Sequence, residues 1–368
     1  MVVINSSSMI LGFVSITKAV TVAPKPLRVG STVVALCSIE RHDTARNVFS
    51  PNHKPQIRRE CLQPPNFAIV RIVRLNPQQY HLLARTALWL LAVIVVSGAS
   101  VRLTGSGLGC SDWPNCEPGH LIPEADFHAW VEFGNRIVTG LVSIAVVLAV
   151  LGSTLRRPLV TKLTKWSWGL VAGVAIQIAL GAITVITHLS PPIVMGHFLL
   201  SMVLIWNATV LEHMARPNNT CGTSVVKSLR LHICLVAVMT AIVVVTGTMV
   251  TGSGPHGGDE NVERLALPFS EIARLHGGIV VVLLLATVIL RLRVQNLRTG
   301  SVKHRVNVVL FVMILQAAIG YTQYFTELPV LLVGFHVAGA TVLWISACLL
   351  YTSPSPRDAT LSRMPSSA

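Results

Sequence analysis

Two histidines occupy the same place in two copies of one sequence pattern. The pattern is Gln177, Leu180-Gly181 and His197, and it recurs 139 residues later as Gln316, Ile319-Gly320 and His336. Both copies lie in apolar stretches close to the roughly 20 residues that cross a bilayer. Because lipid offers an unpaired imidazole no hydrogen-bonding partner, paired histidines at this depth indicate ligands of a metal or a heme.

In the second copy, a further histidine stands close to the repeated one in predicted depth. His276 lies a few residues inside the predicted sixth helix and His336 a few residues inside the eighth, so their depths differ by about one turn. The pair could hold one heme iron between them, an arrangement suited to electron transfer. Neighbouring glycines would let a flat macrocycle approach the backbone, or they would simply pack helices together: Gly277, Gly278, Gly334 and Gly339.

The first copy departs from this pattern at one position. His197 matches His336, but Asn135 stands where His276 would be expected. Asparagine is a weak iron ligand, so this half should leave a sixth iron position open or weakly filled, which suits oxygen chemistry. Glu132 lies three residues earlier on the same helical face. Its carboxylate could carry protons near the iron or pair with Arg136, and position alone leaves both open.

A cysteine pair precedes this site in the segment GCSDWPNCEPG. Cys110 and Cys116 could form a disulfide in an oxidising compartment. A structural staple and a redox pair are equally compatible with the spacing. Since no Cys-x-x-Cys-His motif is present, covalent c-type heme attachment is not indicated.

The elements that must position these residues are apolar helices. Hydrophobic residues make up 52% of the 368 residues and charged residues 12%, which indicates a polytopic membrane protein rather than a secreted or nucleic-acid-binding domain. Eight apolar runs predict eight transmembrane helices, at about 82–100, 133–152, 166–187, 192–211, 230–251, 272–290, 305–324 and 330–351.

The charges of the connecting segments predict how these helices are oriented. Lysine and arginine cluster in segments 156–165, 216–230 and 291–305, whereas acidic residues cluster in 112–126 and 259–263. By the positive-inside rule the basic segments and both termini are cytoplasmic. Four spans in each copy give the two copies the same orientation, so we predict an all-α integral membrane protein built as two tandem, pseudo-symmetric four-helix bundles.

This scheme divides the chain into four regions. Residues 79–212 form the N-terminal bundle and 213–347 the C-terminal bundle. Residues 1–78 are predicted to be a disordered cytoplasmic or mis-assigned extension, although residues 1–39 also have the composition of an organellar transit peptide. Residues 348–368, which end in TSPSPRDATLSRMPSSA, are interpreted as a non-native tail.

Several of these segments resemble the heme A synthase family. They are RLTGSGLGCSDWPNC, the Glu132 motif EFGNR, GHFLLS, RLHGG and the Gly334-Phe335-His336 run, and the resemblance covers about residues 80–350. The family motif commonly ends in histidine where Asn135 stands here. The EFGNR form looks like that of an actinobacterial subgroup of the family. The loop cysteines look like the bacterial type of the family.

The resemblance implies a function and a set of site residues. It implies oxidation of the C8 methyl of heme O to a formyl group, giving heme A for cytochrome c oxidase. A heme b would lie between His276 and His336, the substrate heme would be held by His197 with Asn135 in its pocket, and Glu132 would act in catalysis. The Cys110 and Cys116 pair would be a disulfide.

The resemblance also bears on partners and location. We expect heme O, membrane lipid and an unidentified electron donor as partners, with a heme O synthase, a thiol-disulfide oxidoreductase and self-association left open, and no nucleic acid. The location would be the bacterial plasma membrane, with the mitochondrial inner membrane as the alternative. Two rival functions remain: a diheme b-type electron carrier or quinol oxidoreductase, and a transporter built from parallel repeats.

Overall fold

Eight apolar segments form α-helices, because a helix satisfies the backbone hydrogen bonds of a lipid-embedded segment internally. The computed structural model describes residues 74–111, 115–120, 122–124, 126–217, 227–259, 261–295 and 300–352. In this part of the chain the helices are α1 Pro77–Leu103, α2 Phe127–Leu155, α3 Thr161–Ile186, α4 Pro191–Ala215, α5 Lys227–Ser253, α6 Phe269–Val294, α7 Gly300–Phe325 and α8 Val330–Tyr351. All eight are long and apolar enough to cross a membrane, which confirms the predicted fold class.

The start of α1 and the end of α8 can be compared with the predicted regions of the chain. Helix α1 starts at Pro77, and Asn76 caps it by accepting a hydrogen bond from the Gln79 amide. Helix α8 ends at Tyr351, as the predicted apolar run 330–351 does, and Cys348 and Leu350, which fall in the region interpreted as a tail, are buried in it. The predicted extension up to residue 73 and the tail from 353 onward lie outside the described residues.

The helices pack as two four-membered rings. Each of α1, α2, α3 and α4 packs against the next and α4 closes back on α1, and α5 to α8 do the same. Each ring has its own apolar core. The rings meet through α1 with α8, α4 with α8 and α4 with α5. Since α1 corresponds to α5 and α4 to α8, the two surfaces in contact are equivalent, as in a two-fold interface.

The repeat is also visible in the backbone. The turn between α3 and α4 places His188 and Leu189 at φ 48° and 59°, and the turn between α7 and α8 places Glu327 and Leu328 at φ 60° and 60°. Positive φ is uncommon outside glycine. The same unusual turn in both halves, 139 positions apart, therefore supports the interpretation of the two halves as copies of one unit.

Four connections meet at one end of the molecule, which we call the disulfide end. Arg102, at the end of α1, donates from Nε to the His256 carbonyl at 2.6 Å and from Nη2 to the Thr251 carbonyl at 2.6 Å. The Gly107 amide donates to the Gly258 carbonyl at 2.8 Å. Because residues 102–107 belong to the first half and residues 251–258 to the second, these bonds tie the two bundles together.

We expect Arg102→Ala to lower the free energy of unfolding by about 2 kcal/mol, because it removes two charge-assisted hydrogen bonds across the bundle interface. Thermal or denaturant unfolding of the full chain in a mild detergent measures the loss. Arg85→Ala is the matched control, since Arg85 is an exposed arginine of the same helix. Equal stability of the two variants would contradict a role of Arg102 in holding the bundles together.

Candidate functional site

The four positions singled out as ligands lie at one depth. Asn135, His197, His276 and His336 stand six to eight residues after the starts of α2, α4, α6 and α8. At 1.5 Å per residue this is about two turns from the helix start. All four helices start at the disulfide end, so both candidate sites lie side by side near that end.

In the second bundle, α5 fixes the ring of His276. Thr246 Oγ1 and His276 Nδ1 are joined by a hydrogen bond of 3.0 Å. Gly247 follows Thr246, and a Cβ added there would lie 3.2 Å from His276 Cε1. A metal-bound histidine typically uses its second nitrogen for such a bond. Nε2 of His276 is therefore the nitrogen left for a ligand.

His336 faces His276 from the diagonally opposite helix of the same ring. A Cβ added at Gly320 of α7 would lie 3.2 Å from His336 Cε1, so the imidazole packs directly on a glycine. Nδ1 of His336 is buried and has no hydrogen-bond partner among the described residues. The two residues lie in one ring of helices, seven and six residues after the starts of α6 and α8. The fold thus places both members of the predicted pair in one bundle at one depth.

The first bundle repeats this arrangement with a changed side chain. Ser97 Oγ donates to Asn135 Oδ1 at 2.6 Å, and the next residue, Gly98, would place a Cβ 3.8 Å from the same oxygen. Ser97 and Gly98 on α1 thus contact Asn135 in the same way as Thr246 and Gly247 on α5 contact His276. This geometry independently supports the predicted correspondence of Asn135 and His276.

His197 corresponds to His336 in its surroundings as well as in sequence. Gly181 of α3 would place a Cβ 3.6 Å from His197 Cε1. Nδ1 of His197 is buried without a partner in the described part of the chain. A buried imidazole without a hydrogen bond is costly in an apolar interior. The two orphaned imidazoles are therefore candidates for binding something that the polypeptide does not supply.

The repeated glutamines differ in a way that the sequence pattern did not reveal. Gln177 Nε2 donates to the His197 carbonyl at 3.0 Å and to the Ser201 hydroxyl. Gln316 is 6% exposed, and neither Nε2 nor Oε1 has a partner among the described residues. Ala340 occupies the place of Ser201, which explains the lost partner.

The predicted glycines do not all serve one purpose. A Cβ at Gly339 would lie 1.8 Å from Gln316 Nε2, so Gly339 makes room for the glutamine side chain. Nothing lies within 4 Å of a Cβ built at Gly277 or Gly278, and at Gly334 the nearest atom is Leu103 Cδ1 at 3.5 Å. These three positions leave space against the helix backbone.

The cysteine pair and Glu132 lie together at the start of α2. Cys110 and Cys116 form the expected disulfide, and both are buried. Glu132 is 6% exposed; its Oε1 accepts from Arg136 Nη2 at 2.6 Å and its Oε2 from the Cys110 amide at 2.9 Å. The ion pair with Arg136, one of the two alternatives for Glu132, is therefore present.

The histidines form pairs rather than a protein-only metal centre. Within the described residues no three His, Cys, Asp or Glu side chains lie together in a way that could hold a metal ion. Two axial nitrogen ligands are enough only where a macrocycle supplies the equatorial ones. The donor set of the second bundle fits a heme iron.

Fold and site together define a class of protein: a polytopic helical membrane protein with a tandem four-helix repeat and predicted ligand positions inside each bundle. Comparison with known proteins narrows the class. Residues 81–255 match the family model COX15-CtaA, described as cytochrome oxidase assembly protein. This range covers α1 from His81 onward, the rest of the first bundle and all of α5, and His276 and His336 lie beyond it.

Curated relatives carry the name heme A synthase. The chain is 35% identical to that of Symbiobacterium thermophilum over 47% of this chain and 58% of the relative. It is 31% identical to that of Lysinibacillus sphaericus over 43% and 53%, and 33% identical to that of Oceanobacillus iheyensis over 29% and 35%. The matches thus span about half or less of these relatives. They confirm the resemblance to the heme A synthase family.

We expect Ala340→Ser to raise the free energy of unfolding by about 1 kcal/mol, because the hydroxyl gives Gln316 the partner that Ser201 gives Gln177. Ser201→Ala should lower it by a similar amount. Paired thermal unfolding curves in the same detergent measure both changes. If the two substitutions shift stability in the same direction, the proposed equivalence of the two glutamine environments is wrong.

Proposed function

We propose that this protein is a heme A synthase, which oxidises the C8 methyl of heme O to a formyl group and so supplies heme A to cytochrome c oxidase. The observation that carries the proposal is the asymmetry of two otherwise equivalent sites. Two histidines face each other in the second bundle, whereas a histidine and an asparagine occupy these positions in the first. One site of each kind is what an electron-relay heme beside a reacting heme requires.

The second bundle is proposed to bind heme b through His276 and His336. The hydrogen bond between His276 Nδ1 and Thr246 Oγ1 supports this assignment, because it fixes the ring, and a protonated Nδ1 that donates to the hydroxyl oxygen leaves the Nε2 lone pair for iron. The unpartnered imidazole of His336 supports it from the other side. Two histidine ligands suit single-electron transfer, which is the chemistry that this heme would supply.

The first bundle is proposed to bind the substrate heme through His197. Ser97 donates to Asn135 Oδ1, so the amide oxygen is already engaged and the group that Asn135 has left to offer is its NH₂, a hydrogen-bond donor. A donor cannot ligate iron, so Asn135 would leave the sixth position open while lining it with a polar group. This is the arrangement that oxygen chemistry on the bound substrate needs.

Glu132 is proposed to serve proton movement beside the reacting methyl. It lies one turn before Asn135 on α2, and its charge is balanced by Arg136. A buried carboxylate that already holds an arginine and an amide is well oriented, and orientation is a large part of what a proton-transferring group contributes.

The setting of the enzyme follows from the apolar helices and the bacterial relatives. We propose a multi-pass protein of the bacterial plasma membrane with both termini in the cytoplasm, and the mitochondrial inner membrane as the alternative. Its proposed partners are an electron donor, a heme O synthase that delivers substrate and a thiol-disulfide oxidoreductase acting on the cysteine pair. Self-association is a further proposal.

The rival functions make different demands on the same residues. A diheme electron carrier needs two strong ligands for each heme, which Asn135 does not provide. It also favours hemes stacked across the bilayer, whereas the four positions here share one depth. A transporter needs no heme. This function would not account for the buried imidazoles of His197 and His336, whose Nδ1 atoms have no partner among the described residues.

The proposal is tested by expressing the full chain beside a source of heme O and separating the extracted hemes by chromatography. We expect heme b together with heme O and heme A. His276→Ala and His336→Ala should each abolish the reduced-minus-oxidised signal of low-spin heme b, and His197→Ala should abolish heme A formation. His304→Ala, an exposed position at the far end of α7, is the control. Heme b alone at two equivalents per chain would favour the electron carrier, and a heme-free protein the transporter.

A reciprocal exchange tests the asymmetry itself. We expect Asn135→His to convert the first site to a six-coordinate, low-spin heme that no longer binds carbon monoxide, because the imidazole fills the open position. His276→Asn should do the reverse in the second bundle, creating a carbon monoxide-binding heme there. Absorption spectra with and without carbon monoxide report both changes without reference to activity. Unchanged carbon monoxide binding in Asn135→His would refute the open site.

A further inference from the structure

The segment that carries the disulfide is docked on one face of α2. Ser106 Oγ and His128 Nδ1 are joined by a hydrogen bond of 2.9 Å. Gly109 lies so close to the α2 backbone that a Cβ there would come within 2.4 Å of the His128 carbonyl oxygen. Cys110 Sγ contacts the Ala129 carbonyl oxygen at 3.8 Å. These contacts hold the loop against the first turn of the helix.

Two further contacts join the same loop to the charged pair of α2. The Cys110 amide donates to Glu132 Oε2 at 2.9 Å, and the Asn115 carbonyl accepts from Arg136 Nη1 at 2.7 Å. The loop therefore provides a hydrogen-bond donor to the Glu132 carboxylate and an acceptor to the Arg136 guanidinium. Glu132 and Arg136 are one turn apart and also pair with each other at 2.6 Å. The four groups form one continuous network.

The disulfide links the two parts of the loop that make these contacts. Cys110 and Cys116 close a short ring in the chain; the Asn115 carbonyl is part of this ring, and the Cys110 amide nitrogen is attached directly to it at Cys110 Cα. In an open loop, the two hydrogen bonds would have to offset the whole entropic cost of fixing both groups in place. The covalent link removes most of that cost in advance.

The equivalent place in the second bundle has none of these features. With His276 aligned to Asn135, Ala273 stands at the place of Glu132 and Gly277 at the place of Arg136. The connection between α5 and α6, residues 254–268, contains no cysteine. Because both bundles share the same helix packing, the network is not a requirement of the fold. The network is found in the first bundle, where Asn135 stands at the position that His276 has in the second.

We propose that Arg136 and the disulfide-closed loop are positioning elements for Glu132, so that the redox state of Cys110 and Cys116 determines whether the carboxylate is held. An external dithiol would reduce the pair: its two sulfurs form a disulfide, and the two electrons and two protons go to Cys110 and Cys116. Glu132 exchanges no atom in this step. The proposal rests on the proposed function only in treating Glu132 as a group of the reaction.

Linkage gives the first test. If oxidation favours the Glu132 contact, the contact must favour oxidation equally. The full chain in mild detergent is equilibrated with mixtures of reduced and oxidised dithiothreitol, and maleimide labelling followed by mass spectrometry counts the two thiols that appear on reduction. We expect Glu132→Gln to make the pair about tenfold easier to reduce, because a neutral acceptor replaces a charged one. This corresponds to a shift of about 30 mV.

Asp126→Asn is the matched control for that measurement. It removes the same charge from the same helix end, and asparagine can still cap α2 as Asp126 does by accepting from the Ala129 amide at 2.8 Å. Its reduction equilibrium should stay close to that of the unchanged chain. Equal shifts in both variants, or no shift in Glu132→Gln, would overturn the proposal.

A second measurement needs no substitution and decides the matter if Glu132→Gln does not fold. Hydrogen exchange of the first turns of α2, residues 127–136, should become faster on reduction, while the equivalent turns of α6, residues 269–277, should not change. Identical exchange of α2 in the two redox states would overturn the proposal. Neither experiment involves heme, so a failure of the proposed heme A synthesis would leave these results unaffected, and the reverse.

Discussion

The structure depends on one constraint: a polar group inside an apolar bundle must find a partner within the protein. Most interior hydroxyls meet it locally, as Thr209, Thr240 and Thr287 do by donating to the carbonyl four residues earlier on their own helix. The interior imidazoles do not use that solution in the part of the chain that the structure describes. Nδ1 of His276 is instead hydrogen-bonded to Thr246 Oγ1 on α5, whereas Nδ1 of His197 and of His336 is left without a partner among the described residues. The imidazoles are thus the places where a ligand from outside the chain would complete the interior.

The same constraint explains how two copies of one unit can differ in function while keeping one fold. Helix packing, the positive-φ turns and the glycines that face the imidazoles are shared, and these set the shape of each bundle. A hydroxyl at the position of Ser97 or Thr246 can serve either an amide or an imidazole, since it both donates and accepts. Exchanging histidine for asparagine therefore changes the chemistry of the ligand position without stranding its neighbour on α1.

Much of this arrangement could be predicted from sequence, and what could not be has physical reasons. The eight helices follow from hydropathy, and the correspondence of Asn135 with His276 follows from a repeat whose copies are offset by 139 to 141 residues; both can be read directly from the sequence. The clamp of Arg102 on the Thr251 and His256 carbonyls was missed, because its acceptors are backbone atoms about 150 residues away. The unpaired state of Gln316 depends on a single difference, alanine for serine at position 340, which carries no signal until the helices are packed. The last helix, predicted at 330–351, is Val330–Tyr351 in the structure, because its ends too are marked by hydropathy.

The position of the Glu132 and Arg136 pair near a helix start has a physical reason as well. A buried ion pair is tolerated only when hydrogen bonds satisfy its remaining donors and acceptors, and at the surface water usually supplies them. Glu132 is almost entirely removed from solvent, so the Cys110 amide and the Asn115 carbonyl take the place of that water. A loop can take the place of water only if its backbone groups are fixed opposite the charged pair. The disulfide and the close approach of Gly109 to α2 fix them there. This is why the charged pair, the cysteines and the closely packed glycine occur together in one bundle.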